Sequence, residues 1–126
     1  MKIIKTIKAL RNWKASINDS LGFVPTMGAL HRGHESLIQK SKNMCSKTCV
    51  SIFVNPKQFG KNEDLDKYPK TLNHDIKILN KHKVDVLFFP SEKEIYKKNH
   101  SFSINENSLS KILEGSSRPQ FFCGVM

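Results

Sequence analysis

Apolar positions along the chain fall into two kinds of run. "TCVSIFV" (48–54) and "VDVLFFP" (84–90) are almost continuously apolar or β-branched, as in strands covered on both faces of a parallel sheet. Between them Leu72, Ile76 and Leu79 recur at helical spacing and predict a helix over 71–82. Upstream, Ile7, Leu10, Trp13 and Ile17 mark one side of a helix over 6–17, which follows a short strand at 2–4. "LGFV" (21–24) reads as a strand stopped by Pro25, and "RGHESLIQKSKNM" opens a helix over 32–46. Strands alternating with helices predict an α/β fold: a Rossmann-like parallel sheet flanked by helices and built from right-handed crossovers.

The pattern loosens after Pro90. "SEKEIY" predicts a helical turn, "SFSIN" (101–105) an edge strand, and "NSLSKILEG" a short helix ended by Gly115. The closing "SSRPQFFCGVM" reads as the start of an element, so the sequence is expected to be incomplete.

Composition narrows the class without changing this picture. With 126 residues, 38% hydrophobic and 25% charged, the chain is globular and fits one domain. No apolar run is long enough to span a bilayer, and Lys5 and Lys8 interrupt the N-terminal apolar stretch. A cytoplasmic protein without a membrane partner is expected. Cys45, Cys49 and Cys123 make an odd number with no CxxC, so reduced, buried thiols at 45 and 49 are expected rather than half of a zinc site. The net charge of +10 raises a nucleic-acid interface, but the lysines are scattered without interleaved aromatics. A solvated basic face that gathers small anions is the expectation, with no nucleic-acid partner.

The chemistry concentrates in "VPTMGALHRGHESL" (24–37), where a strand gives way to a helix. Helix N-termini at the carboxyl ends of parallel strands attract phosphates. Gly28 and Gly33 have the spacing of Walker A glycines, but His34 and Glu35 stand where lysine and a hydroxyl must follow. The dinucleotide fingerprint fails as well, with Leu30 at its second glycine. What remains is His31 and His34, three apart at a helix mouth. Three readings stand open: N–H donors to phosphate, a metal pair, or structural caps. The metal reading lacks a third ligand at zinc spacing.

"PTMGALHRGH" is similar to the HxGH signature of the adenylyl-transferring α/β superfamily. Together with "SIFVNPKQF", "YPKTLNHD", "VDVLFFPS", "EIY" and "LEGSSRP", in this order, the chain resembles the pantothenate synthetase family along its whole length. That resemblance implies an HxGH-type nucleotide-binding fold and a ligase that joins pantoate to β-alanine. Pantoate's carboxylate attacks the α-phosphorus of ATP, pyrophosphate leaves, and β-alanine's amine then displaces AMP from pantoyl adenylate.

By the same resemblance Met27, Gly28, Ala29, Leu30, His31, Arg32, Gly33 and His34 hold ATP, with His34 and His31 catalytic. Pro25, Thr26 and Met27 line the floor where pantoate and adenylate meet. Gln58 touches pantoate and β-alanine, Asn55 supports it, Phe53 and Phe59 face pantoate's methyl groups, and Arg118 reaches substrate. Mg²⁺ accompanies ATP, held by phosphates and water, with no protein ligand assigned. The complete family protein is expected to be a homodimer. After "SRP" the family usually shows His-Phe, whereas this chain has Phe121, Phe122 and Cys123. The family's later lysine segments and C-terminal domain lie outside the sequence, so residues 1–126 are expected to be a truncated N-terminal nucleotide-binding domain. The alternative is an inactive remnant that at most binds ATP or pantoate.

Overall fold

The computed structural model describes residues 1–59, 71–98, 101, 104–119 and 121–126. The chain forms two compact units. One is Met1–Val54 with Pro69–Ile95; the other is Asn55–Tyr68 with Tyr96–Met126.

The first unit holds a parallel sheet of β1 (Lys2–Ile4), β2 (Leu21–Thr26), β3 (Lys47–Ile52) and β4 (Val86–Phe88), in the spatial order β1-β4-β3-β2. Helices α1 (Ile7–Ala15), α2 (Arg32–Met44), α3 (Leu72–Lys81) and α4 (Glu92–Ile95) follow the strands. The two faces of the sheet divide the core by strand alternation. Val50, Ile52 and Leu87 pack with Ile38 of α2 and Leu79 of α3. Cys49, Val86 and Phe88 face the other way, toward Ile7, Leu10 and Trp13 of α1. Ile38 and Leu79 are fully buried, each contributing about 1.5–3 kcal/mol. The predicted α/β parallel sheet is therefore present, with β3 buried throughout from Thr48 to Ile52.

Pro25 does not stop its strand. β2 runs on to Thr26, with Pro25 opposite Ser51. Thr26 O accepts the Phe53 N–H, so the even-numbered residues of β2 face β3 and Pro25's missing N–H faces away from it. Other boundaries shift by a few residues. α1 starts one residue after Thr6, whose side chain caps the Ala9 N–H at 3.2 Å. α2 ends at Met44, because Cys45 is already extended on the way into β3. Cys49 is buried, which pushes its thiol up to about 11, whereas Cys45 is only half-buried.

In the second unit the predicted helix ended by Gly115 is instead two pieces. Leu109–Lys111 is a 3-10 turn and α5 (Glu114–Ser117) contains Gly115. Gly115 is buried, and a Cβ there would collide with the Ser110 carbonyl. α6 (Phe121–Val125) is joined in this unit by a 3-10 turn at Pro56–Gln58. Of the predicted edge strand, Phe102 and Ser103 lie outside the described residues, as do residues 60–70; Ser101, Ile104 and Asn105 are irregular. Among the described residues no helix is long and apolar enough to cross a membrane.

Candidate functional site

The connection from β2 to α2 makes a sharp turn through two consecutive left-handed residues, Gly28 at φ +87° and Ala29 at φ +51°. Five backbone donors along it, those of Gly28, Ala29, Leu30, His31 and Gly33, are already engaged within the protein. Gly28 N–H donates to Thr26 Oγ1 at 3.1 Å, and that hydroxyl donates to Ser51 O at 2.8 Å. Ala29 N–H and Leu30 N–H donate to the two oxygens of Asp75, at 3.0 and 2.8 Å. Gly33 N–H donates to His31 Nδ1 at 3.1 Å, and His31 N–H reaches His34 Nδ1 at 3.4 Å. The turn is not a phosphate-cradling loop of the Walker kind.

The glycines serve the turn itself. A Cβ on Gly28 would lie 3.2 Å from both Asp75 Oδ2 and Ile52 Cγ2. A Cβ on Gly33 would lie 2.9 Å from Cε1 of the His31 ring. Each glycine makes room for a part of the site.

The two histidines form a reciprocal cap. His31 is the N-cap of α2, in extended conformation, and His34 is the third helical residue. Of the three sequence readings, capping is thus realised, and it specifies the tautomer. An Nδ1 that accepts a hydrogen bond is unprotonated, so each neutral ring carries its hydrogen on Nε2. The rings are 4.1 Å apart between centroids, His31 exposed and His34 half-buried. Burial, then the neighbouring His31, lowers the pKa of His34 against the opposing pull of Asp75. At neutral pH His34 is therefore a neutral N–H donor. Neither ring is sequestered in the core and the two do not diverge.

Around this pair, Met27 is half-buried, Thr26 buried, Pro25 exposed and Arg32 exposed on the first turn of α2. Glu35 faces α3, where His82 Nε2 lies 2.7 Å and Lys81 Nζ 3.3 Å from its Oε2. The hydrogen bond from His82, and then that from Lys81, holds the Glu35 carboxyl below its usual range. Phe53 follows β3 and is half-buried.

In the second unit, Asn55 caps the Pro56–Gln58 turn. Its Oδ1 accepts the Lys57 N–H at 3.1 Å and the Tyr96 hydroxyl at 2.8 Å, and its Nδ2 donates to Gly124 O at 2.8 Å. Arg118 donates to Gln58 O at 2.9 Å and to Glu114 Oε1 at 3.1 Å, with its guanidinium 4.3 Å over the Phe121 ring. Phe121, which stands where the family usually has histidine, thus supports that arginine. Gln58 and Phe59 are half-buried. Asn55 and Arg118 hold the backbone around Gln58.

Asp75, Thr71 and Tyr96 were not among the sequence candidates. "YPKTLNHD" contained two of them, but an aspartate in a helix's first turn ordinarily reads as a dipole partner in solvent. Among the described residues no group of three or more His, Cys, Asp or Glu is placed to hold a metal.

The family profile described as pantoate-beta-alanine ligase matches residues 2–126. A pantothenate synthetase of Bartonella bacilliformis is 46% identical over 99% of this chain and 46% of its own length. One from Campylobacter hominis is 48% identical over 100% of this chain and 46% of its own. A crystal structure of the pantoate-beta-alanine ligase from Francisella tularensis, complexed with beta-gamma ATP and beta-alanine, superposes with a TM-score of 0.92 at 47% identity. It covers 98% of this chain and 49% of that one. The Thermus thermophilus enzyme gives a TM-score of 0.91 at 40% identity, over 99% of this chain and 45% of its own. The chain spans about half the length of the curated relatives it matches. On the profile match and these identities, it belongs to the pantoate-beta-alanine ligase family.

Proposed function

We propose that this chain is the N-terminal nucleotide-binding part of an enzyme that condenses pantoate with β-alanine at the expense of ATP. The observation that carries this reading is the pair of imidazoles at the mouth of α2, each turned so that Nε2–H is the donor left for a ligand. A carboxylate oxygen of pantoate attacks the α-phosphorus, and the bond to pyrophosphate breaks. Negative charge builds on the phosphoryl oxygens and the departing bridge oxygen. Two preorganised N–H donors stabilise that charge. The amine of β-alanine then attacks the acyl carbonyl, AMP leaves, and the ammonium proton passes to solvent.

Met27 to His34 form the nucleotide side of the site in this reading, with His34 and His31 catalytic. Pro25, Thr26 and Phe53 serve the acid being activated. Gln58, set by Asn55 and Arg118, supplies an amide to pantoate and β-alanine without adding charge. Both oxygens of Asp75 are taken by N–H groups, and no protein ligand is assigned to Mg²⁺. Mg²⁺ enters as the counterion of ATP, held by phosphate and water, and no step is assigned to it. The complete protein is proposed to act as a cytoplasmic homodimer, as its resemblance to the family implies.

Calorimetric titration with Mg·ATP, alongside AMP release with ATP, pantoate and β-alanine, tests the reading. Saturable binding and AMP release dependent on both acids are expected of the functional protein. Binding without release assigns this chain the nucleotide half alone. No binding overturns the proposal. His34→Ala should lower turnover about 10²–10³-fold, the loss typical of a transition-state donor.

A further inference from the structure

We propose that Asp75 is a positioning residue for the histidine pair: its buried carboxylate clamps the Gly28–Leu30 turn, so that His31 and His34 meet a nucleotide in register. The inference rests on the nucleotide-binding reading above. Asp75 sits in the first turn of α3 and is 1% exposed. Burying a carboxylate is costly unless hydrogen bonds satisfy it. Here the donors are Ala29 N–H, Leu30 N–H and the Thr71 hydroxyl, the last at 3.2 Å. Only a carboxylate offers acceptors on both oxygens to all three, because an asparagine would turn an NH₂ toward one of the backbone N–H groups.

What this carboxylate holds is a backbone that would not keep its shape unaided. Ala29 at φ +51° has a conformation that costs a residue with a Cβ about 1 kcal/mol or more. The two clamped amides are those of this residue and the next, immediately before the N-cap. A relaxed Ala29 would redirect the chain entering α2 and shift His31 and His34 together. Leu30, 5% exposed in the core cluster, anchors the other end of the turn.

The test compares Asp75→Asn with the unmodified protein by imidazole ¹⁵N NMR and by Mg·ATP titration. The unmodified protein should show both rings as Nε2–H tautomers without ligand. D75N should show mixed tautomers and at least tenfold weaker Mg·ATP binding, with circular dichroism and Trp13 fluorescence unchanged. Removing a negative charge would by itself favour a polyanion, so weaker binding reports geometry. Adding Ala29→Gly to D75N should recover part of both signals, because glycine takes φ above zero at no steric cost. Thr71→Val, which spares the turn's amides, should change affinity less than twofold.

If D75N fails to fold, a backbone ester at residue 30, assembled by ligation at Cys45, removes the Leu30 N–H alone and should reproduce both losses. Native tautomers with affinity within twofold, in D75N or in the ester if D75N does not fold, overturn the positioning role. Absence of Mg·ATP binding by the unmodified protein defeats the nucleotide reading instead, and the tautomers still decide whether Asp75 sets the rings.

Discussion

The β2–α2 joint and the segment around Asn55 are both polar, yet they are held in opposite ways. At the joint, side chains from the sheet unit consume backbone donors. The Thr26 hydroxyl and the Asp75 carboxylate lie in the core, and the imidazoles are left with their Nε2–H groups for a ligand. Around Asn55, the amide and guanidinium side chains expected to meet substrate are themselves the supports. Asn55 ties three partners and Arg118 holds Gln58 O, on short helical pieces with few buried side chains. Damage at the joint should therefore be felt by the whole first unit, and damage at Asn55 only locally.

Gly28→Ala gives the largest expected effect on stability. The new Cβ meets Asp75 Oδ2 and Ile52 Cγ2 at 3.2 Å in a backbone of φ +87°. The expected loss is about 1–3 kcal/mol, read as a lower urea midpoint by Trp13 fluorescence. An unchanged midpoint would mean that the turn relaxes freely and does not rest on the core.

Asn55→Ala sharpens the other side. It removes bonds to Gly124 O, Lys57 N–H and the Tyr96 hydroxyl, and solvent replaces part of what is lost. A local cost of about 1 kcal/mol is expected. Faster amide exchange should appear at Lys57 and along α6, with the Trp13 transition unmoved. A drop in that transition equal to the Gly28→Ala effect would erase the distinction between the two regions.

The same contrast explains what the sequence made legible. β3 and α3 were readable because burial leaves a pattern: β-branched and apolar residues dominating the buried run over 48–52, and Leu72, Ile76 and Leu79 on one stripe. Pro25 was misleading because its local rule depends on which neighbour its missing N–H faces, a fact of the sheet rather than of the strand. His31 and His34 stood out by residue type and position, but their tautomer depends on backbone geometry. Asp75 was invisible, since nothing local reveals that its side chain meets amides 45 and 46 residues earlier in the chain. The second unit's short turns and helices carry no period at all, so Gly115 was misread as a helix terminator.

The smallest effect asks whether the histidine cap follows the charge balance at the joint. Burial and His31 lower the pKa of His34, while Asp75 opposes them. The unfolded chain binds its proton near the ordinary histidine value of about 6.5, and the folded chain does so only at lower pH. Between the two values the unfolded state carries more protons, so stability rises with pH across that window. The contribution is complete above about pH 6.5 and is lost as pH falls through the folded value. Protonation at Nδ1 also takes away the acceptor that His31 N–H uses. His34→Gln keeps an acceptor at the third helical position without a titrating group. From pH 7 to 5 the unmodified protein should lose more urea resistance than H34Q, by a modest margin because the ring is only half-buried. A smaller loss than H34Q would show that the attraction of Asp75 for an imidazolium outweighs burial, and that the joint favours a charged His34 over a neutral one.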